Sequence, residues 1–462
     1  MPPLIGASVR RVEDRRLLTG RGRYVGDLTL PGMLHAAFLR SPHPHALIRQ
    51  IDAEPARALP GVSGVFTGLD LEGHARPIRA VSLMAGYIPT DMPPLAMQKV
   101  RYCGEAIAVA IADTRYAAED AVECISAAYE PLEPVTDASR ATTPGSPRVH
   151  DSIAENVILS RRFRQGDVAV AFAGAPVVVS DRFRLHRHAA VAIENRACLA
   201  DYDAGTALLT LWSSSQVPGM LREALAELLD LPAHRVRVIA PDVGGGFGMK
   251  STLYPEEVAL CAIARLLGCP VKWVGDRRED LMTSSQAWDE EIEASLALNE
   301  DGTIRGLTAT VRADIGAYSI YPWTASIEVI QVLAFLPGPY RVPHYLAEGR
   351  AIVTNKAPMG PHRGVGRPVS TFVMEGLLDR AARRLGIDPL AIRHANLIRP
   401  DEFPYRSPSG IVWDTGSFAE SLDRACAVAD YAQARAEQRR DTSGRRRAGI
   451  GLASYVELTG VG

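Results

Sequence analysis

The stretch Pro241-Asp242-Val243-Gly244-Gly245-Gly246-Phe247-Gly248-Met249-Lys250 constrains this chain more than any other. Four glycines and one phenylalanine in five residues follow Arg235–Ala240, whose near-alternation predicts a strand with one buried face. Pro255-Glu256-Glu257 then opens a helix, because proline suits the first helical turn and acids favour its positive end. Gly268 and Pro270 close that helix. Glycine accepts positive φ and lets a ligand come close to the backbone. Successive bare N–H groups can form a nest for an oxyanion or an oxo group, and Phe247 adds an apolar wall. The competing reading is a tight turn between strand and helix. Two phosphate-binding motifs fail here. G-x-G-x-x-G ends on Met249 when counted from Gly244 and on Ser251 when counted from Gly246, and Lys250 follows Met249, not the glycine a P-loop requires.

Two further loops share this strand-to-helix setting. Trp212-Ser213-Ser214-Ser215-Gln216-Val217-Pro218 places a glutamine amide, a hydrogen-bond donor, beside a cluster of serines suited to helix capping. Ala357 to Pro368 combines His362, Arg363 and Arg367 with three glycines and three prolines. Arginine is a fixed cation with a planar donor fork suited to phosphate or carboxylate. An ordinary surface loop is the alternative.

The length of 462 residues suggests about three domains at ~150 residues each. From Gly20 to Asp137 the strand candidates Met33–Arg40, Leu47–Asp52 and Ala106–Ala112 mix with a helical pattern over Tyr116–Ile125. Thr136–Pro147 is aperiodic and rich in Thr, Ser, Pro and Gly, which marks a connection. Beyond it, Val177–Val179, Ala207–Trp212 and Ala351–Thr354 read as strands. Pro218–Leu229, Ser370–Leu385 (capped by Gly386) and a long Ser417–Gln438 read as helices. Arg445-Arg446-Arg447 reads as a solvated loop and Gly449–Leu458 as a closing strand. The expected division is a first α/β domain over 1–137, a linker over 138–156, a second domain over 157–410 and the start of a third over 411–462.

Fifty-one basic and 53 acidic residues give a net charge of −2, so there is no bulk electrostatic drive toward nucleic acid or an anionic membrane. A hydrophobic content of 47% allows sizeable cores. No apolar run approaches ~18 residues, so no membrane span is expected. The six cysteines are scattered with no C-x-x-C pair, which fits a reducing cytoplasm and builds no zinc or iron–sulfur site. His43/His45 and His186/His188 form H-x-H pairs, read as surface or structural polar residues.

Taken in order, the three loops resemble the large molybdenum-cofactor subunit of the xanthine oxidase family, which includes aldehyde oxidases, bacterial carbon monoxide dehydrogenases and N-heterocycle hydroxylases. Val9–Tyr24, Leu30–Phe38, Val100–Glu105 and Glu194-Asn195-Arg196 resemble its bacterial members. The resemblance implies an α+β and α/β fold, with a hammerhead-like first domain followed by an incomplete molybdopterin-binding region. It implies molybdopterin with molybdenum, in bacteria usually as the cytosine dinucleotide, the metal being held by the pterin and not by protein side chains. On that pattern Gln216 matches the glutamine near a molybdenum oxygen. Gly245, Gly246, Phe247 and Gly248 match the loop beside the metal centre, and Arg363 matches an arginine of the active-site loop. In the copper-containing carbon monoxide dehydrogenases that last loop carries a cysteine. His362–Arg367 has none, which argues against carbon monoxide oxidation.

The implied reaction is hydroxylation of aldehydes or N-heterocycles with water as the oxygen source, and a glutamate as general base. Electrons leave through [2Fe–2S] clusters and FAD, expected on an iron–sulfur subunit and an FAD subunit. The family's glutamate lies in a Gly-Glu motif in a region this sequence does not reach. Gly104-Glu105 belongs to the first domain's pattern and does not replace it. No catalytic residue is therefore assigned, and the isolated chain is expected to be inactive. A split gene with a complementing chain, a truncated product and a fragment all fit. So does a non-catalytic scaffold or remnant.

Overall fold

The computed structural model describes residues 4–440 and 448–457. The basic run Arg445–Arg447 and Leu458 lie outside them. The chain forms two compact units, and their limits interleave along the sequence.

The first unit comprises 1–78, 92–131 and 190–284. Its main sheet has seven strands in the order Val236–Ile239, Leu208–Ser213, Ala197–Asp203, Val271–Val274, Leu34–Arg40, Ala106–Ala112 and Val62–Thr67. Ala106–Ala112 is buried along its whole length, as its unbroken apolar sequence requires of a central strand. Two stretches of chain meet in this sheet. Leu34 and His35 pair in parallel with Val271 and Lys272, and Leu34 N donates to Pro270 O at 2.8 Å. The helix expected after Ala112 runs Arg115–Glu123, with the Thr114 hydroxyl accepting from Ala117 N. Its Ala121 packs with Val65, Ala108, Ala110 and Ile125. Ala46–Asp52 forms a separate three-stranded antiparallel sheet between Lys99–Val100 and Ser126–Pro131. The helix after the glycine run spans Pro255–Leu267 and ends on left-handed Gly268.

The second unit comprises 79–91, 132–189 and 285–462. Its sheet has five strands in the order Val177–Leu185, Glu290–Leu298, Ile304–Gly316, His344–Val353 and Val157–Gln165. Only Ile304–Gly316 and His344–Val353 pair in parallel. The helix Ser326–Phe335 lies between them in sequence and buries Val329, Val332 and Leu333. A side chain at Gly349 would come within 2.5 Å of Val329, so a glycine there lets the helix close on the sheet. The helix Arg367–Leu385 buries Val373, Met374, Leu377, Leu378 and Ala381, while Leu385 at its end is half-buried.

Three local expectations change. The connection after Asp137 is packed: Ala138–Ala141 forms a helical turn, and Asn156 Nδ2 holds Ala141 O at 3.0 Å and Pro147 O at 2.9 Å. The single helix over Ser417–Gln438 is two, Phe418–Val428 and Tyr431–Arg440, because Asp430 turns left-handed at φ 47°. Aspartate tolerates that conformation better than most residues. The closing strand is absent from the described part of Gly449–Leu458. The segment is tied by side chains instead: Arg393 donates to Leu452 O at 2.8 Å and Arg367 pairs with Glu457 at 2.6 Å. Alternation suits extended chain, but a strand also needs a neighbouring edge to bond.

Candidate cofactor-binding site

The strands Leu208–Ser213 and Val236–Ile239 are parallel neighbours in the first unit, with Trp212 opposite Ile239. The loops leaving their carboxyl ends therefore emerge side by side, the position where α/β sheets commonly bind ligands. One loop carries Gln216 and the other carries the glycine run.

The two loops are bonded to each other. Gln216 N donates to Lys250 O at 2.8 Å, and Gln216 Oε1 accepts from Gly248 N at 3.0 Å. Gln216 is exposed, and with its oxygen committed its NH2 group is the donor it has left for a ligand. Gly245 and Gly248 hold φ of 97° and 103°, which only glycine adopts readily. Gly246 is required sterically: a Cβ there would meet Gln216 Oε1 at 2.4 Å. Phe247 is also left-handed, at φ 55°, and 38% exposed. The amides of Gly245 and Gly246 donate to no acceptor among the described residues. The donor set is thus neutral N–H groups on a run packed against the Gln216 side chain and the Phe247 ring. It suits an oxo group or an anionic cofactor, and it offers nothing that would ligate a metal directly.

Both ends of the run are anchored. Asp242 receives the guanidinium of Arg16 and, at 2.7 Å, the amide of Arg23. The Arg16 hydrogen bond holds its carboxyl down at about 2. At the far end the Tyr254 hydroxyl donates to Met249 O at 2.8 Å. Glu194 and Lys250 were missed as a pair, since they lie far apart in sequence and no spacing rule joins them. In the structure they are bonded, with Lys250 Nζ 2.9 Å from Glu194 Oε2. Their neighbours complete the support. Asn195 Nδ2 donates to Gly275 O at 3.0 Å. Arg196 is buried over the Tyr254 ring and pairs with Asp280 at 2.9 Å and Glu256 at 3.2 Å. A cleft of ≈ 670 Å³ opens beside the run, walled by Tyr24, Val191, Ile193, Phe247 and Val274.

Arg363 belongs to the second unit, in a loop before the helix Arg367–Leu385. It is exposed. Gly364 and Val365 turn left-handed at φ 96° and 53°. Trp288 Nε1 donates to Val365 O at 2.6 Å, and the indole meets the rings of His362 and His188 edge-on, each at 5.6 Å. His188 is therefore part of the support for this loop. Burial, with the nearby His188 and Arg363, holds the His362 imidazole below its usual range. His43 instead lies tilted against the Tyr129 ring in the first unit, 4.9 Å between centroids. The structure brings Gln216 and Gly245–Gly248 together; Arg363 stands in the other unit. No group of three or more His, Cys, Asp or Glu among the described residues is placed to hold a metal.

A family model for the molybdopterin cofactor-binding domain matches residues 149–397. A second, for the aldehyde oxidase and xanthine dehydrogenase a/b hammerhead domain, matches 19–133. The nicotine 6-hydroxylase large subunit of Paenarthrobacter nicotinovorans is 39% identical over 99% of this chain and 56% of its own length. The crystal structure of quinoline 2-oxidoreductase from Pseudomonas putida 86 superposes with a TM-score of 0.92 at 38% identity, over 95% of this chain and 56% of that one. The chain thus spans little more than half the length of these relatives. The nicotinate dehydrogenase large molybdopterin subunit of Eubacterium barkeri is 32% identical, and the match covers 85% of this chain and 89% of that protein. The cradle at Gln216 and the glycine run accordingly sits in a chain that belongs to the molybdenum-cofactor-binding large-subunit family of the xanthine dehydrogenases and aldehyde oxidases.

Proposed function

We propose that this chain is one subunit of a molybdenum hydroxylase that adds oxygen from water to an N-heterocycle. The observation that carries the reading is the hydrogen bond from Gly248 N to Gln216 Oε1, which ties an exposed glutamine to a run where the Gly245 and Gly246 amides have no acceptor among the described residues. Gln216 and Gly245–Gly248 are the residues that would hold the cofactor, and Arg363 is the residue the second unit would contribute. When bound, molybdopterin in its cytosine dinucleotide form supplies the two-electron redox chemistry. The protein's part is to orient it with fixed donors, to present an electrophilic carbon to it, and to supply a base. General-base assistance is worth ~10²–10⁴-fold.

That base comes from a complementing polypeptide or further sequence, and the chain alone is inactive. The extent of the Eubacterium barkeri subunit supports a large subunit of this size working as a separate chain. Nicotine and quinoline in the names of two relatives favour an N-heterocycle over an aldehyde. The cysteine-free His362–Arg367 stretch disfavours carbon monoxide. Iron–sulfur and FAD subunits complete the electron path. Along the sequence the proposed division is 1–137, 138–156, 157–410 and 411–462; one family match ends at 133 and the other begins at 149, inside the connection. No helix among the described residues is long and apolar enough to cross a membrane, and the scattered thiols favour the cytoplasm.

The test is isolation of the assembly from its source, elemental analysis for molybdenum, and turnover of quinoline and nicotinate in ¹⁸O-labelled water. Molybdenum in the complex and label in the product are expected. A metal-free, inactive assembly with all partner chains present overturns the reading.

A further inference from the structure

The glycine run closes on a single glutamate. At its start, Gly244 N donates to Glu194 Oε2 at 2.7 Å while Gly244 O accepts from Glu194 N at 3.1 Å. At its end, Lys250 Nζ returns to the same residue, donating to Oε2 at 2.9 Å and to the backbone O at 2.8 Å. Lys250 O in turn accepts from Gln216 N at 2.8 Å. One continuous set of bonds therefore runs from Gly244 through Glu194 and Lys250 to the glutamine.

The two charges depend on each other. The Lys250 side chain is 1% exposed and that of Glu194 14%. Burial pushes the Lys250 ammonium down, and Glu194 draws it back up. Glu194 Oε1 is shielded from solvent and has no partner among the described residues, so the carboxylate is committed to Lys250 and Gly244. A buried charge that loses its partner is strongly destabilising where it sits. Here the strain would fall on the loop, because the bonds of the pair end on its backbone.

We infer that Glu194 and Lys250 are positioning residues that close the glycine run into its cradle and, through Lys250 O, fix Gln216 against it. This deepens the molybdenum-hydroxylase reading and rests on it for the identity of the ligand.

The test is hydrogen–deuterium exchange on the chain within its isolated assembly, with molybdenum content measured on the same samples. Wild type, Lys250→Met, Glu194→Gln and the double variant are compared. Lys250→Met strands a carboxylate against the loop, and exchange at its bonded amides, Gly244 and Gly248, should rise ~10-fold or more while Leu208–Ser213 and Pro255–Leu267 keep wild-type protection. The double variant removes both charges and leaves the glutamine an acceptor for Gly244 N, so it should restore most of the loop protection. If Lys250→Met unfolds the sheet as well, Glu194→Gln decides, with a local rise of ~3-fold or more expected at Gly244 and Gly248. Unchanged loop exchange in these variants, or a double variant no better than Lys250→Met, overturns the inference. Wild-type assembly without molybdenum overturns the cofactor reading instead and leaves the exchange comparison standing.

Discussion

Glu290 opens a central strand of the second unit, paired with Leu185 on one side and Ala313 on the other. It is 1% exposed, and neither carboxyl oxygen has a hydrogen-bond partner among the described residues. Burial, with the neighbouring Asp289 charge, pushes its carboxyl from 4.5 up to about 8. A carboxyl raised in the folded state binds its proton more tightly there than when unfolded. Its contribution to stability is therefore complete below pH 4.5, declines as pH rises, and levels off above about 8. That gap, at ~1.4 kcal/mol per pH unit, sets a ceiling near ~5 kcal/mol. Glu290→Met keeps the volume and removes both oxygens. Urea unfolding of variant and wild type, followed by circular dichroism from pH 5.5 to 9, should show the variant gaining on wild type as pH rises. From pH 5.5 upward only ~2.5 of those pH units remain, so a gain of ~2–3.5 kcal/mol across the range is expected, beyond the ~1–3 kcal/mol that loss of an unpaired buried group gives at any pH. Glu328, fully buried with both oxygens unpartnered, is pushed up by burial and then by Glu290, with Arg367 opposing. It should titrate lower once Glu290 is gone. A stability difference constant within ~1 kcal/mol from pH 5.5 to 9 would falsify the assignment of a neutral buried acid.

Arg196→Met should cost ~3–5 kcal/mol in denaturant unfolding, because it strands Asp280 and half-strands Glu256 in the interior. Arg196→Lys should recover only part, since a point charge cannot replace the fork, and a Met variant within ~1 kcal/mol of wild type contradicts the network. For Glu256, burial opposes ionisation, but Arg196 and Arg40 more than offset it and hold the carboxyl at about 2. Its stabilisation is thus present above pH 4.5 and lost as pH falls toward about 2, and Glu256→Gln should flatten that acid limb in a pH-melting series. Gly246→Ala puts a methyl 2.4 Å from Gln216 Oε1, so molybdenum per chain should fall severalfold with little change in melting temperature. Full metal content in that variant speaks against the cradle.

The sequence made the frame legible wherever one physical signal dominated. The apolar run Ala106–Ala112 could only be a buried strand, and the Pro255 to Gly268 signals bracket the helix found at Pro255–Leu267. The glycine run announced positive φ, which Gly245 and Gly248 adopt, but the close approach of Gly246 to Gln216 needed the structure. What remained hidden depends on distant pairing. Glu194 precedes Ala197–Asp203 and Lys250 follows Val236–Ile239, and the pairing of both strands with Leu208–Ser213 brings them near each other. Trp288 supports Val365 from 77 residues away. The left-handed turn at Asp430 and the unpaired course of Ala448–Glu457 failed as expectations for a related reason. Periodicity reports which face of a segment is apolar, and it is silent on where a backbone finds partners.

The parallel contact of Leu34–His35 with Val271–Lys272 has a bearing on biosynthesis. On a ribosome adding ~5–20 residues per second, the amino-terminal half of the seven-stranded sheet waits tens of seconds for the strand that completes its edge. During that interval Leu34–Arg40 presents open amides and carbonyls to whatever chain is nearby. Nascent molecules should accordingly lean on chaperones until Val274 has emerged, and a shortened chain that stops after the hammerhead region should aggregate through that edge.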